Sequence, residues 1–381
     1  GAEADRAAIG VHDIGLNVVR NEAGEIGFRV LVGGGLGRTP IVGSQICEFL
    51  PWQHLLTYLD AILRVYNRYG RRDNKYKARI KILVKALTPE VFAEKVAAEW
   101  AHTKDGPATL TQQELDRVAG HFSAPAYEQF SGDDADYLAK REAEKGFNNW
   151  ALRNVHAHKV PGYAAVTLSL KPTAVAPGDA DDKQLDAIAD LADQFSFGEL
   201  RVTHQQNLVL ADVRQSDLYA LWQACRKHGF ATPNIGLLTD IICCPGGDFC
   251  ALANAKSIPI AEAIQRTFDD LDYLHDIGDL DLNISGCMNA CGHHHVGHIG
   301  VLGVDKKGQE FYQVSIGGNS GRDASIGQIL GPSFSAEDMP SVMTKVIDVY
   351  IENRTPEEQF LDTFKRIGMA PFKERVYAAA N

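Results

Sequence analysis

The chain has 381 residues, of which 45% are hydrophobic and 23% charged, and its formal net charge is −11 at pH 7. This composition is typical of a soluble globular protein with two or three domains. A chain this acidic is a poor candidate for general nucleic-acid binding, because neutralising phosphates requires a basic face. The sequence shows neither the roughly 18 apolar residues of a membrane helix nor a signal-peptide profile. We therefore expect a cytoplasmic protein without nucleic-acid or membrane partners.

The first part of the chain predicts a strand, a glycine-rich loop and a helix. Residues 26–33 have the pattern of a strand that ends in glycines. Residues 53–69 predict a helix, because apolar residues recur at helical spacing. Residues 102–160 are polar, and we interpret them as a connector with short helices. The predicted apolar face of the helix consists of Leu55, Leu56, Leu59, Ile62, Leu63 and Tyr66.

Residues 161–235 predict a compact ferredoxin-like unit. The order strand–helix–strand–strand–helix makes up most of a split βαβ fold. The remaining residues, 236–381, carry five of the seven cysteines of the chain. The predicted elements of the small unit are a strand at 165–170, a helix at about 183–195, strands at about 199–203 and 207–212, and a helix at about 215–229.

An internal repeat relates the two ends of the chain. Residues 30–38 (VLVGGGLGR) align with residues 314–322 (VSIGGNSGR) at an offset of 284, and Val65-Tyr66 aligns with Val349-Tyr350 at the same offset. Because a strand, a glycine loop and a helix match at a constant spacing, the sequence predicts a duplicated domain.

The repeat predicts a mixed α/β (α+β) fold, in which a module of a ferredoxin-like small unit and a larger α/β domain is duplicated. At this offset the first copy would start upstream of Gly1, so we expect its small unit to be missing. The predicted domains are the remainder of the first large domain at 1–101, the connector at 102–160, the small unit at 161–235 and the second large domain at 236–381.

The two glycine loops, Gly33–Arg38 and Gly317–Arg322, lack the third glycine of a dinucleotide-binding motif. We interpret them as nests of backbone N–H groups that, with Arg38 and Arg322, could bind a carboxylate or a phosphate. The alternative is that each loop is a tight turn that requires glycine.

Four cysteines form two closely spaced pairs, Cys244–Cys250 in a C-x5-C pattern and Cys287–Cys291 in a C-x3-C pattern. A [4Fe–4S] cluster needs one thiolate for each iron, so four thiolates on glycine-containing segments predict such a cluster. A structural zinc site and a set of buried thiols are the alternatives. We expect Cys243 to pack beside the site and Cys47 and Cys225 to lie in the core.

The spacing of these cysteines resembles the signature of the sirohaem-dependent nitrite and sulfite reductase family. Two further segments support the resemblance, which covers nearly all of residues 10–381. Residues 201–208 (RVTHQQNL) resemble the R-x-T-x-x-Q-N-L strand of the family, and residues 286–292 (GCMNACG) resemble its G-C-x-N-x-C segment.

The resemblance implies that the larger domain binds a sirohaem and a [4Fe–4S] cluster. It implies that the cluster is held by Cys244, Cys250, Cys287 and Cys291, and that Cys291 also bridges to the sirohaem iron at the catalytic centre. The side chains expected to bind the cofactor are Arg201, Thr203, Gln206, Asn207 and Asn289, together with the loop residues Arg38 and Arg322.

The function implied by the resemblance is assimilatory reduction of sulfite to sulfide by six electrons. The alternatives are reduction of nitrite to ammonia by the same type of centre, a non-catalytic iron–sulfur electron carrier and a zinc-stabilised binding module. Because the chain has no flavin or NADPH motif, the expected electron donor is ferredoxin or an NADPH-dependent flavoprotein subunit.

The family's principal Arg and Lys substrate ligands are expected upstream of Gly1. We therefore expect this chain alone to bind cofactor poorly and not to turn over normally. The histidines after Cys291 occupy positions where some family members carry an arginine and an aromatic residue, so their role in the haem pocket, in proton delivery or in packing stays open. They are His293, His294, His295 and His298.

Overall fold

The computed structural model describes residues 4–378, which form two compact units. The first unit contains the chain up to Ala124 together with the later segment Asn319–Ile326. The second unit contains Pro125–Gly318 and the chain from Gly327 onward. The glycine loop of the second repeat copy is therefore divided between the two units.

The first unit is a small antiparallel sheet covered by helices. Its elements are β1 (Ile14–Arg20), β2 (Ile26–Val32), β3 (Ser44–Pro51), α1 (Leu55–Tyr69), α2 (Ile80–Leu87), α3 (Pro89–Trp100) and α4 (Gln112–Ala119). The strands lie in the order β1-β2-β3. Side chains alternate across a strand, so Val30 and Val32 point to the same face, where they pack with Ile62 and Phe92 in a fully buried core.

Helix α1 confirms the predicted position, but its buried face is rotated from the predicted one. Leu56 and Leu63 are about half exposed, whereas Tyr58, Ala61 and Val65 are buried. The prediction counted leucines and neglected Ala61 and Tyr58, whose Cβ atoms lie on the side that faces the sheet and α3. The leucine pattern alone therefore gave the wrong centre for the apolar stripe.

The second unit begins with a four-stranded antiparallel sheet in the order β4-β5-β7-β6. Helices α7 and α8 follow the expected ferredoxin-like order, whereas the edge strand β4 precedes β5 in the chain. Residues 135–157, expected within a connector, pack with this sheet, and Phe147 and Trp150 are fully buried in its core. The elements are α5 (Ala135–Ala143), α6 (Lys145–Asn154), β4 (Val155–Ala157), β5 (Tyr163–Leu168), α7 (Asp182–Phe195), β6 (Leu200–Val202), β7 (Leu208–Arg214) and α8 (Leu218–His228).

The second unit continues with a five-stranded mixed sheet in the order β12-β11-β10-β9-β8. Strands β8, β9 and β10 are parallel to one another, and β11 and β12 pair antiparallel. The elements are β8 (Ile242–Cys243), α9 (Ile258–Thr267), α10 (Leu271–Ile277), β9 (Leu282–Ser285), β10 (Ile299–Lys306), β11 (Gln309–Ile316), β12 (Gln328–Ile329), α11 (Met339–Asn353), α12 (Phe360–Ile367) and α13 (Ala370–Tyr377).

The repeat found in the sequence is also present in the backbone. Helix α11 begins and ends 284 residues after α1. The hairpin β10–β11 pairs residues that correspond to those paired in β1–β2, and the glycine loops contain equivalent isolated bridges. The matching pairs are Ile14–Val32 and Ile299–Ile316 in the hairpins, and Gly35–Ile41 and Asn319–Ser325 in the loops. Among residues 4–378, no helix has the length and apolar character needed to cross a membrane.

The turn after β11 allows the packing of Gly317 against Phe364 to be tested. Gly317 has φ +89°, and a Cβ atom there would collide with the Phe364 ring, whereas Gly308 has φ +83° with no atom within 4 Å of the same position. Both alanine variants strain the backbone, but only Gly317→Ala also overpacks the core. We expect Gly317→Ala to lower the free energy of unfolding by about 2 kcal/mol more than Gly308→Ala. Urea denaturation of both variants measures the difference, and equal losses would contradict the packing.

Candidate cluster site

The two cysteine pairs lie on loops that leave the same edge of the five-stranded sheet. Cys244 follows β8 and Cys287 follows β9, and these neighbouring strands are parallel. Because parallel strands end at one edge of a sheet, the two loops meet there. The Cys244 N–H donates to the Ile284 carbonyl at 3.1 Å, which extends the pairing of the strands into the first loop.

Further backbone bonds tie the two loops together. The N–H groups of Asn254 and Ala255 donate to the Gly286 carbonyl at 2.8 and 3.1 Å. The Gly286 N–H donates to the Cys244 sulfur at 3.1 Å, and the Ser257 hydroxyl lies 3.6 Å from the same sulfur. N–H groups directed at cysteine sulfur stabilise the thiolate, which is the form that binds iron.

The other three thiols are close enough to Cys291 to affect it electrostatically. The pKa of Cys291 is raised, first by partial desolvation and then by Cys244, Cys287 and Cys250. The exposure of the four cysteines decreases across the site. Cys291 is exposed, Cys244 and Cys250 are half-buried, and Cys287 is buried. The site therefore has a closed side within the protein and an open side at Cys291.

The donor set fits a [4Fe–4S] cluster, in which each thiolate binds a different iron. Among the described residues, no three His, Cys, Asp or Glu side chains are arranged to hold a single metal ion. A cluster with one cysteine for each iron does not require that convergence. Two of the remaining cysteines lie where the sequence predicts. Cys225 is in the core, where burial raises its pKa to about 12, and Cys243 is buried beside Cys244. Cys47, which was also expected in the core, is half-buried and packs against the first core from outside.

The Cys287–Cys291 segment is a strained turn. Ala290 and His293 have positive φ angles of 60° and 56°, which non-glycine residues rarely adopt. The Ser285 hydroxyl accepts a bond from the Gly292 N–H at 3.1 Å and holds the end of the turn. Asn289, a predicted cofactor ligand, is exposed on the same turn as Cys291.

In the structure, the polar groups of Thr203, Gln206 and Asn207, which the sequence predicts to contact sirohaem, form hydrogen bonds with protein groups. The Thr203 hydroxyl accepts the N–H groups of Gln205 and Asn207. The Gln206 amide bonds to the backbone of Cys243, and the Asn207 amide is buried in contact with Asp240. Their polar atoms are engaged by protein groups because residues 203–207 form a tight turn against the segment that leads to β8. Arg201, by contrast, is exposed and pairs with Glu199.

Arg38 and Arg322 both belong to the first unit, and each is exposed at the end of its glycine loop. The first loop directs carbonyl groups at a buried cation, Lys81. Lys81, which is only 6% exposed, donates through Nζ to the carbonyls of Leu36 and Thr39 at 2.7 Å. These contacts support the tight-turn alternative for this loop. Its sequence signal was a lysine inside the apolar run of α2.

The histidines after Cys291 lie in different surroundings. His294 is 2% exposed, and neither ring nitrogen has a hydrogen-bond partner among the described residues. Burial, followed by the nearby His295 and His293, lowers the pKa of His294 to about 3, so its imidazole is neutral at neutral pH. His298 accepts the Asp281 N–H through Nδ1 at 3.2 Å.

Two of the cavities formed by the described residues lie in the second unit. One of about 300 Å³ lies beside the first cysteine loop and is lined by Gln206, Cys243, Pro245 and Phe249, among others. The other, of about 720 Å³, is lined by charged residues such as Arg153, Asp279 and Arg354 and contains none of the cysteines. Of these two cavities, the smaller one adjoins the proposed cluster site.

Two family profiles match the chain. The family described as "Nitrite and sulphite reductase 4Fe-4S domain" matches residues 1–104 and 237–381, which together are more than half of the chain. The family described as "Nitrite/Sulfite reductase ferredoxin-like half domain" matches residues 149–228. These matches confirm the resemblance, the mixed α/β fold with its ferredoxin-like part, and the expected cofactor class.

Some relatives are named nitrite reductases and others sulfite reductases. The assimilatory ferredoxin-dependent nitrite reductase of Haloferax mediterranei is 26% identical over 363 residues, which are 92% of this chain and 57% of that protein. Sulfite reductase [ferredoxin] 1 of Mycolicibacterium paratuberculosis is 24% identical over 361 residues, which are 92% of this chain and 58% of that protein. The chain thus spans somewhat more than half the length of these relatives.

A solved structure supports the fold. The Mycobacterium tuberculosis NirA protein superposes with a TM-score of 0.71 at 23% identity, and the match covers 96% of this chain and 62% of that one. At this identity the likeness shows that the two proteins share a fold.

Adjacent cysteines give a matched test of the ligand set. We expect Cys244→Ala to abolish cluster binding, because the Cys244 sulfur lies between the loops and accepts the Gly286 N–H. Cys243→Ala should retain the cluster, because the Cys243 thiol is buried beside the loop and donates to the Cys244 carbonyl. Iron and acid-labile sulfide are measured after anaerobic reconstitution. Retention of iron in Cys244→Ala with loss in Cys243→Ala would reverse the assignment.

Proposed function

We propose a function for this chain on the basis of its family. The chain belongs to the nitrite and sulphite reductase family. Members of this family carry a [4Fe–4S] cluster and sirohaem. We infer that the chain is the cluster-binding part of an enzyme that reduces sulfite, with electrons supplied by a ferredoxin. The names of the two relatives, both ferredoxin-dependent enzymes, support a ferredoxin donor. An NADPH-dependent flavoprotein donor stays a prediction.

The graded exposure of the four cysteines carries this proposal. Cys244, Cys250 and Cys287 would hold the closed side of the cluster, and the exposed Cys291 would present its sulfur to a second group. A sulfur that binds both cluster iron and haem iron must be reachable from outside the cluster loops. Cys291 is the most exposed of the four and therefore best meets this requirement.

When bound, the two cofactors would deliver electrons one at a time to an iron that can bind an oxyanion. The protein would contribute through the environment of the sulfurs. The Gly286 N–H and the Ser257 hydroxyl lie close to the Cys244 sulfur and would partly balance the negative charge of a reduced cluster. The buried Cys287 lies on the closed side, away from water. Hydrogen bonds and burial together set the reduction potential of such a site.

Reduction of nitrite to ammonia is the second candidate. The name of the Haloferax mediterranei relative, a nitrite reductase, favours it. Both substrates are small anions, and both reductions require cations that bind oxygen atoms and supply protons. The neutral His294 cannot provide such a cation at neutral pH, so within this histidine cluster a cationic contact would have to come from another residue.

The role of Cys291 can be tested with an anaerobic absorption spectrum of the chain reconstituted with iron, sulfide and sirohaem. Because the chain alone is expected to bind cofactor poorly, we expect a weak sirohaem band superimposed on broad cluster absorption, and we expect Cys291→Ser to lose that band because the bridging sulfur is removed. Cys225→Ser is the control, because Cys225 is buried in the core of the ferredoxin-like part. A sirohaem band that is unchanged in Cys291→Ser would refute the bridging role.

Substrate preference can be read from the same reconstituted chain. We expect sulfite to perturb the sirohaem band at lower concentration than nitrite. Because the principal substrate ligands are expected upstream of Gly1, we expect reduced methyl viologen to be oxidised only slowly, with sulfide as the product. Product analysis distinguishes sulfide from ammonia. If only nitrite perturbs the band and only ammonia forms, the sulfite proposal is wrong and the nitrite candidate replaces it.

A further inference from the structure

We propose that Gln206 is a positioning residue for the cluster, which it serves by fixing the backbone that carries Cys244. This inference rests on the proposed function, because it concerns the same cluster. It assigns Gln206 a structural bond to the first cysteine loop in place of a direct contact with a cofactor.

The Gln206 amide bonds to both backbone groups of Cys243. Its Nε2 donates to the Cys243 carbonyl, and its Oε1 accepts the Cys243 N–H, each at 2.8 Å. Cys243 lies in β8, the edge strand of the five-stranded sheet, and its other side pairs with β9. An edge strand leaves one row of N–H and C=O groups unpaired. The side-chain amide of Gln206 therefore replaces a missing neighbouring strand.

The backbone at Gln206 is held in an unusual conformation to make this contact. Gln206 has φ +58°, in the left-handed region that non-glycine residues rarely adopt. The Thr203 hydroxyl accepts the Gln205 and Asn207 N–H groups at 3.2 and 3.0 Å and closes the turn. A strained residue persists only where its surroundings determine its conformation. Here they direct the amide at Cys243.

A buried ion pair anchors the same turn to the segment that precedes β8. Lys171 and Asp240 are 0% and 7% exposed, and Lys171 Nζ lies 2.7 Å from Asp240 Oδ1. Lys171 also donates to the Gln205 carbonyl, and Asn207 Nδ2 donates to Asp240 Oδ1 at 2.9 Å. Because a buried charge is costly unless it is paired and hydrogen-bonded, this set of contacts resists being opened one bond at a time.

The consequence is that Cys244 is fixed from two directions. On one side its N–H bonds to Ile284 and its sulfur accepts the Gly286 N–H. On the other side the preceding residue is held by Gln206. A shift of β8 away from Gln206 would move the Cys244 sulfur relative to the Gly286 N–H. That movement would weaken iron binding and change the hydrogen bond that stabilises the reduced cluster.

The test compares Gln206→Met with Gln205→Met. Methionine preserves the length of the side chain but removes both polar groups, and the Gln205 side chain takes no part in the bonds to Cys243. A third variant, Asn234→Leu, removes bonds to Ser169, Lys171 and Thr239 within the same buried region but none to Cys243. It reports what a general loss of stability does to the cluster.

Two properties are measured on the full chain. The first is hydrogen exchange of the Cys243 amide without cofactor, and the second is the rate of cluster bleaching in air after reconstitution with iron and sulfide. Loss of two ordinary hydrogen bonds corresponds to about a tenfold or larger shift in a local opening equilibrium. We expect Gln206→Met to accelerate both processes by about this factor and to shift the midpoint potential of the cluster. Gln205→Met should change neither.

Equal behaviour of Gln206→Met and Gln205→Met in both measurements would overturn the inference. The inference would also be overturned if the cluster of Asn234→Leu bleached as fast as that of Gln206→Met, because general destabilisation would then explain the effect. A wild-type chain that takes up no cluster would instead refute the proposed function. In that case the exchange of the Cys243 amide still decides whether Gln206 anchors β8.

Discussion

The parallel pairing of β8 with β9 is the constraint on which the site depends. The ladder is short, with Ile242 opposite Asn283 and Cys243 opposite Ile284. Each strand is followed at once by a cysteine loop, so this pairing decides whether two cysteine pairs that are far apart in the sequence share one site. A two-residue edge strand is weakly held by its own ladder. The Gln206 amide and the buried Lys171–Asp240 pair supply the additional contacts that it needs.

The two copies of the repeat share a scaffold, but the proposed cluster ligands lie in the second copy. Both copies contain the hairpin, the glycine loop and a long helix at matching positions. The cysteines that form the proposed ligand set occur in the second copy, whereas the first unit contains Cys47, which packs against its core. A domain that is already stable through its strand and helix packing can accept a strained turn such as that at Ala290.

The sequence predicted the features that depend on local spacing. The cysteine pairs and the helix over residues 53–69 follow from patterns within a few residues. The repeat follows from the match of short motifs 284 residues apart, and the structure places the helix and the repeat where expected. The role of Gln206 could not be predicted, because it depends on a left-handed backbone and on a partner 37 residues further along the chain. The burial of Lys81 and Lys171 was not predicted, because lysine is rarely buried unless it has specific partners.

The most direct test of the account is Mössbauer spectroscopy of the chain reconstituted anaerobically with ⁵⁷Fe and sulfide, in the wild type and in Cys287→Ser. The account predicts the spectrum of a single [4Fe–4S] cluster for each wild-type chain and its loss in the variant, because Cys287 is the most deeply buried of the four proposed ligands. A wild-type chain that binds zinc in preference to iron, or a [4Fe–4S] spectrum that is unchanged in Cys287→Ser, would contradict it.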